Sequence, residues 1–224
     1  MPTLHESVLT PFVASHPEGY DGLRLVRPPF LPELRLHLAD DAIVLQARLE
    51  SQVGPGHTPF WTNAWAGGQA LARYVLDHPG LVAGRRVLDV ACGGGVAAIA
   101  AARSGAAEVT ANDIDPYALA AAAMNADANT VTLRLVEGDL LDGDGGDAEV
   151  VLVGDGLYDR DLAARMLAFL LRVTARGARV LVGDPGRGHL PDWWLPVLAS
   201  YRIAGLGAAQ DAGITEVAVL GVTR

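Results

Sequence analysis

The sequence is poor in several residue types, and each shortage excludes a class of protein. Cys92 is the only cysteine among 224 residues, so an internal disulfide and a thiolate zinc cluster are both excluded. The six histidines show neither an H-x-H nor an H-E-x-x-H spacing, and we therefore expect no metal site. Lysine is absent and all 17 basic residues are arginine, a bias that we attribute to codon usage.

Long hydrophobic runs are also missing. The longest apolar stretches, Val96–Ala102 and Ala118–Met124, are too short to cross a bilayer, so we expect no membrane partner. Residues Met1–Thr10 lack the arginine-rich amphipathic pattern of a transit peptide. The formal net charge is −9, whereas a duplex-binding protein normally displays a basic face, and we therefore expect no nucleic-acid partner.

Half of the residues are hydrophobic, which is enough for the core of one α/β domain. From residue 86 onward, predicted strands alternate with predicted helices. The predicted strands are Arg86–Val90, Glu108–Ala111, Val131–Val136, Glu149–Val153 and Ala178–Val182, and the predicted helices are Val96–Arg103, Pro116–Ala126 and Asp161–Val173. This alternation predicts a mainly parallel sheet with helices on both faces and its ligand site at the carboxyl ends of the strands.

The two ends of the chain have a different pattern. Residues 1–60 are rich in proline, and we interpret them as an N-terminal extension that caps the site, followed by the main domain at 61–224. Leu34–Leu38 and Ala42–Leu49 are predicted to form a strand pair, and Gly67–Leu76 a helix. Near the C-terminus we expect a short helix at Asp192–Ala199 and a strand pair formed by Tyr201–Ala204 and Glu216–Val222.

A glycine-rich segment follows the first strand of this regular region. Val87–Gly95 reads VLDVACGGG, so a strand leads into a glycine turn that opens a helix. Glycines let the backbone approach a ligand, and a helix N-terminus offers free N–H groups. Nicotinamide and flavin enzymes use similar turns, so this segment alone leaves the cofactor open.

Acidic residues at three successive strand ends favour S-adenosylmethionine (SAM). Asp89 would repel a pyrophosphate and would attract the cationic end of SAM. Asp113 can accept both ribose hydroxyls, and Asp139 can accept the adenine amino group while Leu140 or Ile114 covers the ring. Each acid also has a structural interpretation. Asp89 would then pair with a neighbouring arginine, Asp113 would cap a helix, and Asp139 would belong to an ordinary turn.

This ordered set resembles the class I SAM-dependent methyltransferases, which implies a seven-strand Rossmann-like sheet. The usual pattern is acid-x-Gly-x-Gly-x-Gly. Gly93 and Gly95 occupy the second and third glycine places, whereas Ala91 occupies the first. We expect a slightly altered fit of the cofactor and no loss of binding.

Five segments are similar to the lysine methyltransferases of the electron-transfer flavoprotein β subunit. They are Pro32–Leu38, Phe60–Tyr74, Asn112–Pro116, Gly154–Tyr158 and Gly183–Arg187. The resemblance implies lysine methylation of that β subunit and places Trp65 on the adenine side of the pocket, although a plain core role stays open. It also implies the cytoplasm as the location, because bacterial members act there and we see no transit peptide.

Asp155 and Tyr158 are the candidate catalytic residues, since they form an acid-x-x-aromatic motif after the fourth strand. A lysine nucleophile must be neutral, and Asp155 would orient the amine beside the methyl group. As structural alternatives, Asp155 would be a turn residue and Tyr158 a core residue. Asp184 and Arg187 are expected to form an ion pair within a Pro-Gly turn.

Three other functions remain open at this point. The substrate would instead be a small-molecule amine, an amino acid or a natural product, with the first sixty residues as a lid. A non-catalytic SAM-binding module is a second alternative. A nicotinamide-dependent oxidoreductase is the third, because its glycine turn is similar.

Overall fold

The computed structural model describes residues 22–55, 58–191, 194–203 and 216–222. Its N-terminal part begins with β1 (Leu23–Val26), which pairs antiparallel with β2 (Leu36–Ala39), followed by helix α1 (Ala42–Val53) and a 3₁₀ helix (Phe60–Thr62). No helix in these described ranges is both long and apolar enough to span a bilayer.

The prediction of a strand at Ala42–Leu49 is wrong, because this segment lies within helix α1. The Asp41 carboxylate caps the helix, accepting from the backbone N–H groups of Ile43 at 2.9 Å and Val44 at 3.1 Å. Leu45 and Leu49, one helical turn apart, are both buried against Trp61. The acidic pair before this segment therefore starts a helix and does not form a hairpin turn.

The main body is a seven-stranded sheet. Its strands are β3 (Arg86–Val90), β4 (Glu108–Asp113), β5 (Arg134–Glu137), β6 (Val150–Gly154), β7 (Arg179–Asp184), β8 (Val197–Tyr201) and β9 (Val217–Val222), in the order β5-β4-β3-β6-β7-β9-β8. Strands β3 to β7 are parallel, and β9 runs antiparallel to both β7 and β8. The predicted α/β class with a mainly parallel sheet is confirmed.

Helices cover both faces of the sheet. They are α2 (Ala66–Asp77), α3 (Val96–Arg103), α4 (Pro116–Ala128) and α5 (Arg160–Ala175), with a 3₁₀ turn at Pro79–Leu81. In β6, Val150 and Leu152 belong to the core under α2 and α3, whereas Val151 and Val153 belong to the core under α5. All four side chains are fully buried, as expected for a central parallel strand.

The C-terminal prediction is partly wrong. The expected helix at Asp192–Ala199 contains the start of strand β8, while Asp192 and Trp193 lie outside the described residues. The expected strand pair exists, but β8 ends at Tyr201, the first residue of the predicted strand, which pairs with Val217; Ala204 lies outside the described residues. Pairing with β9 satisfies the backbone of this segment at the sheet edge, so tertiary context decides against the helix.

Candidate active site

The glycine turn after β3 has three residues in the left-handed region. The φ angles are +54° at Ala91, +51° at Gly93 and +78° at Gly95. A Cβ on Gly95 would lie 3.0 Å from the Cβ of Ala122, and one on Gly94 would lie 3.0 Å from the backbone oxygen of Trp61. Glycine is therefore required at residue 95 for both its backbone angle and its packing against α4.

Asp89 lies beneath this turn. Its side chain is buried, and Oδ2 accepts from the backbone N–H of Ala98 at 2.9 Å. Burial raises the pKa of the Asp89 carboxyl to about 7, the Ala98 N–H opposes this, and nearby Asp113 adds to it. The guanidinium of Arg86 contacts Asp147 and Glu149 instead of Asp89. Asp89 thus connects the end of strand β3 to the first turn of helix α3.

Asp113 joins the end of β4 to the same turn. Its Oδ2 accepts from the backbone N–H of Gly93 at 2.9 Å, and its Oδ1 accepts from that of Asp115 at 3.0 Å. Burial raises the pKa of Asp113, although these backbone N–H groups oppose the shift. The cap of helix α4 is Asp115, which accepts from the N–H of Tyr117 at 2.8 Å. Asp113 is therefore free of the capping role.

Asp139 follows β5 and is held by a cation. Its Oδ1 accepts from the backbone N–H of Leu141 at 2.9 Å, and its Oδ2 pairs with Nη1 of Arg165 at 2.8 Å. The hydrogen bond from Arg165 is the main reason that the pKa of Asp139 is lowered. Arg165 comes from α5, so this helix fixes the carboxylate at the edge of the sheet.

Asp155 follows β6 and is almost completely buried, at 7 % exposure. Its φ of +59° is a left-handed conformation that costs a residue with a Cβ about 1 kcal/mol or more. Oδ2 accepts from the backbone N–H of Gly67 in α2, and Oδ1 accepts from Nε of Arg187 at 2.9 Å and Nη2 at 2.6 Å. Helix α2 and Arg187 therefore hold the side chain of this residue in place despite its strained backbone.

Arg187 has a different partner from the one predicted. We expected an ion pair with Asp184, whereas the guanidinium pairs with Asp155, 32 residues away in the chain. Asp184 instead accepts from the backbone N–H of Gly186 at 3.0 Å, and its Oδ1 is buried without a hydrogen-bond partner. The guanidinium carbon also lies 5.8 Å from the ring centre of Trp65, within the range of a cation–π contact.

Three aromatic rings flank this ion pair. Phe60 lies 5.6 Å from Tyr158 and 6.1 Å from Trp65, measured between ring centres. The indole N–H of Trp65 donates to the backbone oxygen of Phe60 at 2.7 Å. Phe60 is 44 % exposed and Tyr158 is 50 % exposed, so both rings reach the surface. We call Phe60, Trp65 and Tyr158 the aromatic mouth.

These residues border one cavity of about 750 Å³ along the carboxyl ends of the strands. Nine of the predicted site residues line it: Trp65, Ala91, Gly93, Asp113, Ile114, Asp139, Leu140, Asp155 and Tyr158. Asp89 and Gly95 are not among its lining residues. Phe60, Arg165 and Arg187 also line it and were not predicted as site residues. Arg187 lies in a segment that carries the family resemblance, whereas no local pattern marks Arg165.

The cavity fits SAM in size, order and charge. Pockets for ligands of this size usually measure about 300–1,000 Å³. Its wall passes from the glycine turn after β3 to Asp113 after β4 and Asp139 after β5. This order matches the order of the three parts of SAM, which are its amino-acid end, its ribose and its adenine. Both carboxylates are acceptors, as the ribose hydroxyls and the adenine amino group require.

Comparison with known proteins agrees with this geometry. The family model described as ribosomal protein L11 methyltransferase (PrmA) matches residues 69–153. The electron transfer flavoprotein beta subunit lysine methyltransferase of Xenopus laevis is 36% identical over 211 residues, covering 92% of this chain and 83% of the relative. The protein of the same name from Danio rerio is 40% identical over 171 residues, covering 74% and 66%.

A solved structure supports the fold alone. It is the tRNA (uracil-54, C5)-methyltransferase of Pyrococcus abyssi in complex with S-adenosyl-L-homocysteine. It is 17% identical, with a TM-score of 0.57, and the match covers 89% of this chain and 44% of that protein. Because it shares 36% and 40% identity with these two relatives over most of its length, this chain belongs to the electron transfer flavoprotein beta subunit lysine methyltransferase family and is a class I SAM-dependent methyltransferase.

Proposed function

We propose that the chain is a protein-lysine N-methyltransferase whose substrate is the electron transfer flavoprotein β subunit. The observation that carries this proposal is the buried Asp155 carboxylate behind the aromatic mouth, in the same cavity as the glycine turn. A lysine side chain has a long apolar stem and a polar tip, so aromatic rings suit its stem and a carboxylate suits its nitrogen. The relatives named for this reaction support the choice of protein substrate.

The proposed roles of the cofactor-binding residues follow their places along the cavity. Asp113 accepts from the ribose hydroxyls, and Asp139 accepts from the adenine amino group. Ile114, 71 % exposed, and Leu140 cover the adenine ring. The backbone of Ala91 and Gly93 faces the amino-acid end, while Asp89 and Gly95 act indirectly by fixing the turn and the start of α3.

In the proposed mechanism, bound SAM would supply a methyl carbon that a neutral amine can attack in line, the C–S bond breaking as the N–C bond forms and S-adenosylhomocysteine leaving with the electron pair. The protein must align the amine and exclude water. Asp155 accepts a hydrogen bond from the amine and so orients its lone pair toward the methyl group. Tyr158 and Trp65 line the path of the lysine stem, and Phe60 shields it from solvent. We propose this place for Trp65 instead of the adenine side that the family resemblance implies, because its ring lies against Arg187 and Phe60. After transfer, the extra proton on nitrogen leaves to water at the open mouth.

The test is methylation of the purified β subunit from the same organism, with isotope-labelled SAM. Peptide mapping by mass spectrometry should locate the label on lysine, and Asp155→Ala should reduce the rate by about 100-fold, because the amine loses the acceptor that orients its lone pair toward the methyl group. An unlabelled β subunit would remove this substrate. Labelling at the wild-type rate by Asp155→Ala would remove the proposed role of that residue.

A small-molecule amine is the second candidate substrate. Thr58 and Phe60, from the N-terminal extension 1–60 and its junction with the main domain 61–224, line the cavity and would serve as a lid over a small ligand. Free lysine and short amines offered with labelled SAM distinguish the two candidates. Preference for the free amine over the β subunit by kcat/KM would favour the second. We further propose a cytoplasmic location, and the net charge of −9 argues against nucleic acid as a substrate.

A further inference from the structure

The pair formed by Asp155 and Arg187 poses a chemical problem for the proposed reaction. An isolated carboxylate beside the amine would stabilise the ammonium form, which has no lone pair for methyl transfer. The carboxylate here carries a guanidinium on Oδ1, with side-chain exposures of only 6% for Asp155 and 18% for Arg187. In such a buried setting, charge interactions are stronger than in water. The pair as a whole therefore presents no net charge to the incoming nitrogen.

We infer that Arg187 balances the charge of Asp155, so that the lysine amine enters and reacts in its neutral form. This inference rests on the proposed amine methylation. Arg187 acts through Asp155 and is a positioning residue in this reaction. Its guanidinium fork suits the role, because the two donors on Oδ1 and the ring of Trp65 hold it in one orientation.

Other charged and titratable groups surround the pair. Helix α2 presents the backbone N–H of Gly67 to Asp155. Asp184 after β7 interacts electrostatically with Arg187 of the pair and with His189. After β6, Tyr158 interacts with Asp113 and Asp159, and Asp159 interacts with His189. Burial raises the pKa of Tyr158, with Asp113 and Asp159 adding to the shift. His189 is the one histidine of this set, so it needs its own control.

Charge variants in a double-mutant cycle test the inference. The measured quantity is the dependence of kcat on pH at saturating SAM. The part of this profile where kcat falls at low pH, here called the acid limb, reports the pKa of the bound amine. R187M leaves one negative charge and should move the limb to higher pH by about one unit or more. D155N leaves one positive charge and should move it to lower pH by a similar amount. The double variant D155N/R187M restores neutrality and should return the limb to near the wild-type position.

A control and a second readout keep the test decisive. H189Q should preserve the order of the limbs, because it leaves the pair intact. R187M removes the cationic partner of a buried carboxylate, so if it does not fold, D155N and the double variant provide the comparison. Equilibrium binding of butylamine to the protein loaded with S-adenosylhomocysteine gives the same order without catalysis. D155N should bind the amine most weakly at low pH, and R187M should bind it most tightly there.

Two results would overturn the inference. One is a set of variants whose rates fall while the acid limb and the pH dependence of butylamine binding stay in place. The other is a double variant whose acid limb falls at the same pH as that of a single variant instead of returning to the pH of the wild type. A wild-type enzyme that leaves the β subunit unmethylated contradicts the proposed substrate instead, and the butylamine measurement still decides the role of Arg187.

Discussion

At the scale of single residues, Ala91 departs from the glycine pattern of class I methyltransferases and keeps the backbone that the pattern requires. Its φ of +54° places a Cβ in the left-handed region, which costs about 1–2 kcal/mol. Glycine removes this cost, but its greater conformational entropy stabilises the unfolded chain by about 0.4–1 kcal/mol. Ala91→Gly should therefore raise the free energy of unfolding by about 0.5–1 kcal/mol, as measured by urea denaturation.

Ala100 provides the matched control, because it is buried in the interior of α3. Ala100→Gly should lower the free energy of unfolding by about 1 kcal/mol or more, the usual cost of glycine in a helix interior. Equal destabilisation by the two substitutions would show that the left-handed angle at Ala91 carries no strain.

Asp89 should make stability depend on pH. Its pKa is about 7 in the folded protein and about 3.9 in an unfolded chain. Between these values the folded state binds the extra proton, so the Asp89 contribution to the free energy of unfolding falls as pH rises from about 4 to about 7. Urea denaturation across this range should show that the advantage of Asp89→Asn over wild type grows with pH.

The comparison with Asp89→Asn cancels the carboxyl groups that do not interact with Asp89, such as Asp184. Asp113 does interact with Asp89, so the same pair of proteins is also compared in an Asp113→Asn background. A difference between the two proteins that is constant from pH 4 to pH 7 would mean that Asp89 ionises normally in the folded state.

At the scale of elements, helix α2 approaches the sheet closely enough to touch its backbone. A Cβ on Gly67 would overlap the carbonyl group of Gly183 and lie 2.6 Å from Oδ2 of Asp155, whereas a Cβ on Gly68 would meet nothing within 4 Å. Gly67→Ala should destabilise the protein by about 1–3 kcal/mol and displace Asp155, lowering the methylation rate.

Gly68→Ala is the neighbouring control for this prediction. It adds a favourable helix residue in open space and should stabilise the protein by about 0.5–1 kcal/mol without slowing the reaction. Thermal unfolding and a methylation assay on both variants check this. If Gly67→Ala behaves like Gly68→Ala, the close approach of α2 to the sheet is not needed for the site.

The strands β3 to β7 and the helices between them could be predicted because hydrophobic pattern and turn residues agree there. Strand β3 and helix α3 match their predicted bounds. Helix α1 has local signals that the strand prediction overlooked, the Asp41 cap and the one-turn spacing of Leu45 and Leu49. Strand β8 could not be predicted from local pattern, since pairing with β9 determines it. Likewise, the ion pair of Asp155 with Arg187 joins two strand ends, and only the topology of the sheet brings them together.

At the scale of the whole molecule, the N-terminal elements and the cofactor cavity share one core. Leu45 of α1 is buried with Trp61 and Ala118, and the latter two also line the cavity. Leu45→Ala should lower the free energy of unfolding by about 2–5 kcal/mol and weaken SAM binding by loosening this wall. Calorimetry with SAM and urea denaturation measure the two effects.

Ile43 offers a control on the same helix, because it is 80 % exposed. Ile43→Ala should change the free energy of unfolding by no more than about 0.5 kcal/mol and leave SAM affinity unchanged. If Leu45→Ala destabilises the protein and binds SAM normally, the N-terminal elements support the fold without shaping the cavity.

The central claim is that carboxylates at successive strand ends hold SAM across one edge of the sheet, and calorimetric titration tests it most directly. SAM should bind the wild type saturably, and NAD should give no binding heat. Asp113→Asn should weaken SAM binding by about 10- to 100-fold, the loss of a hydrogen bond to a charged group, while the exposed Asp161→Asn should bind normally. Binding of NAD in preference to SAM, or unchanged SAM affinity in Asp113→Asn, would contradict the claim.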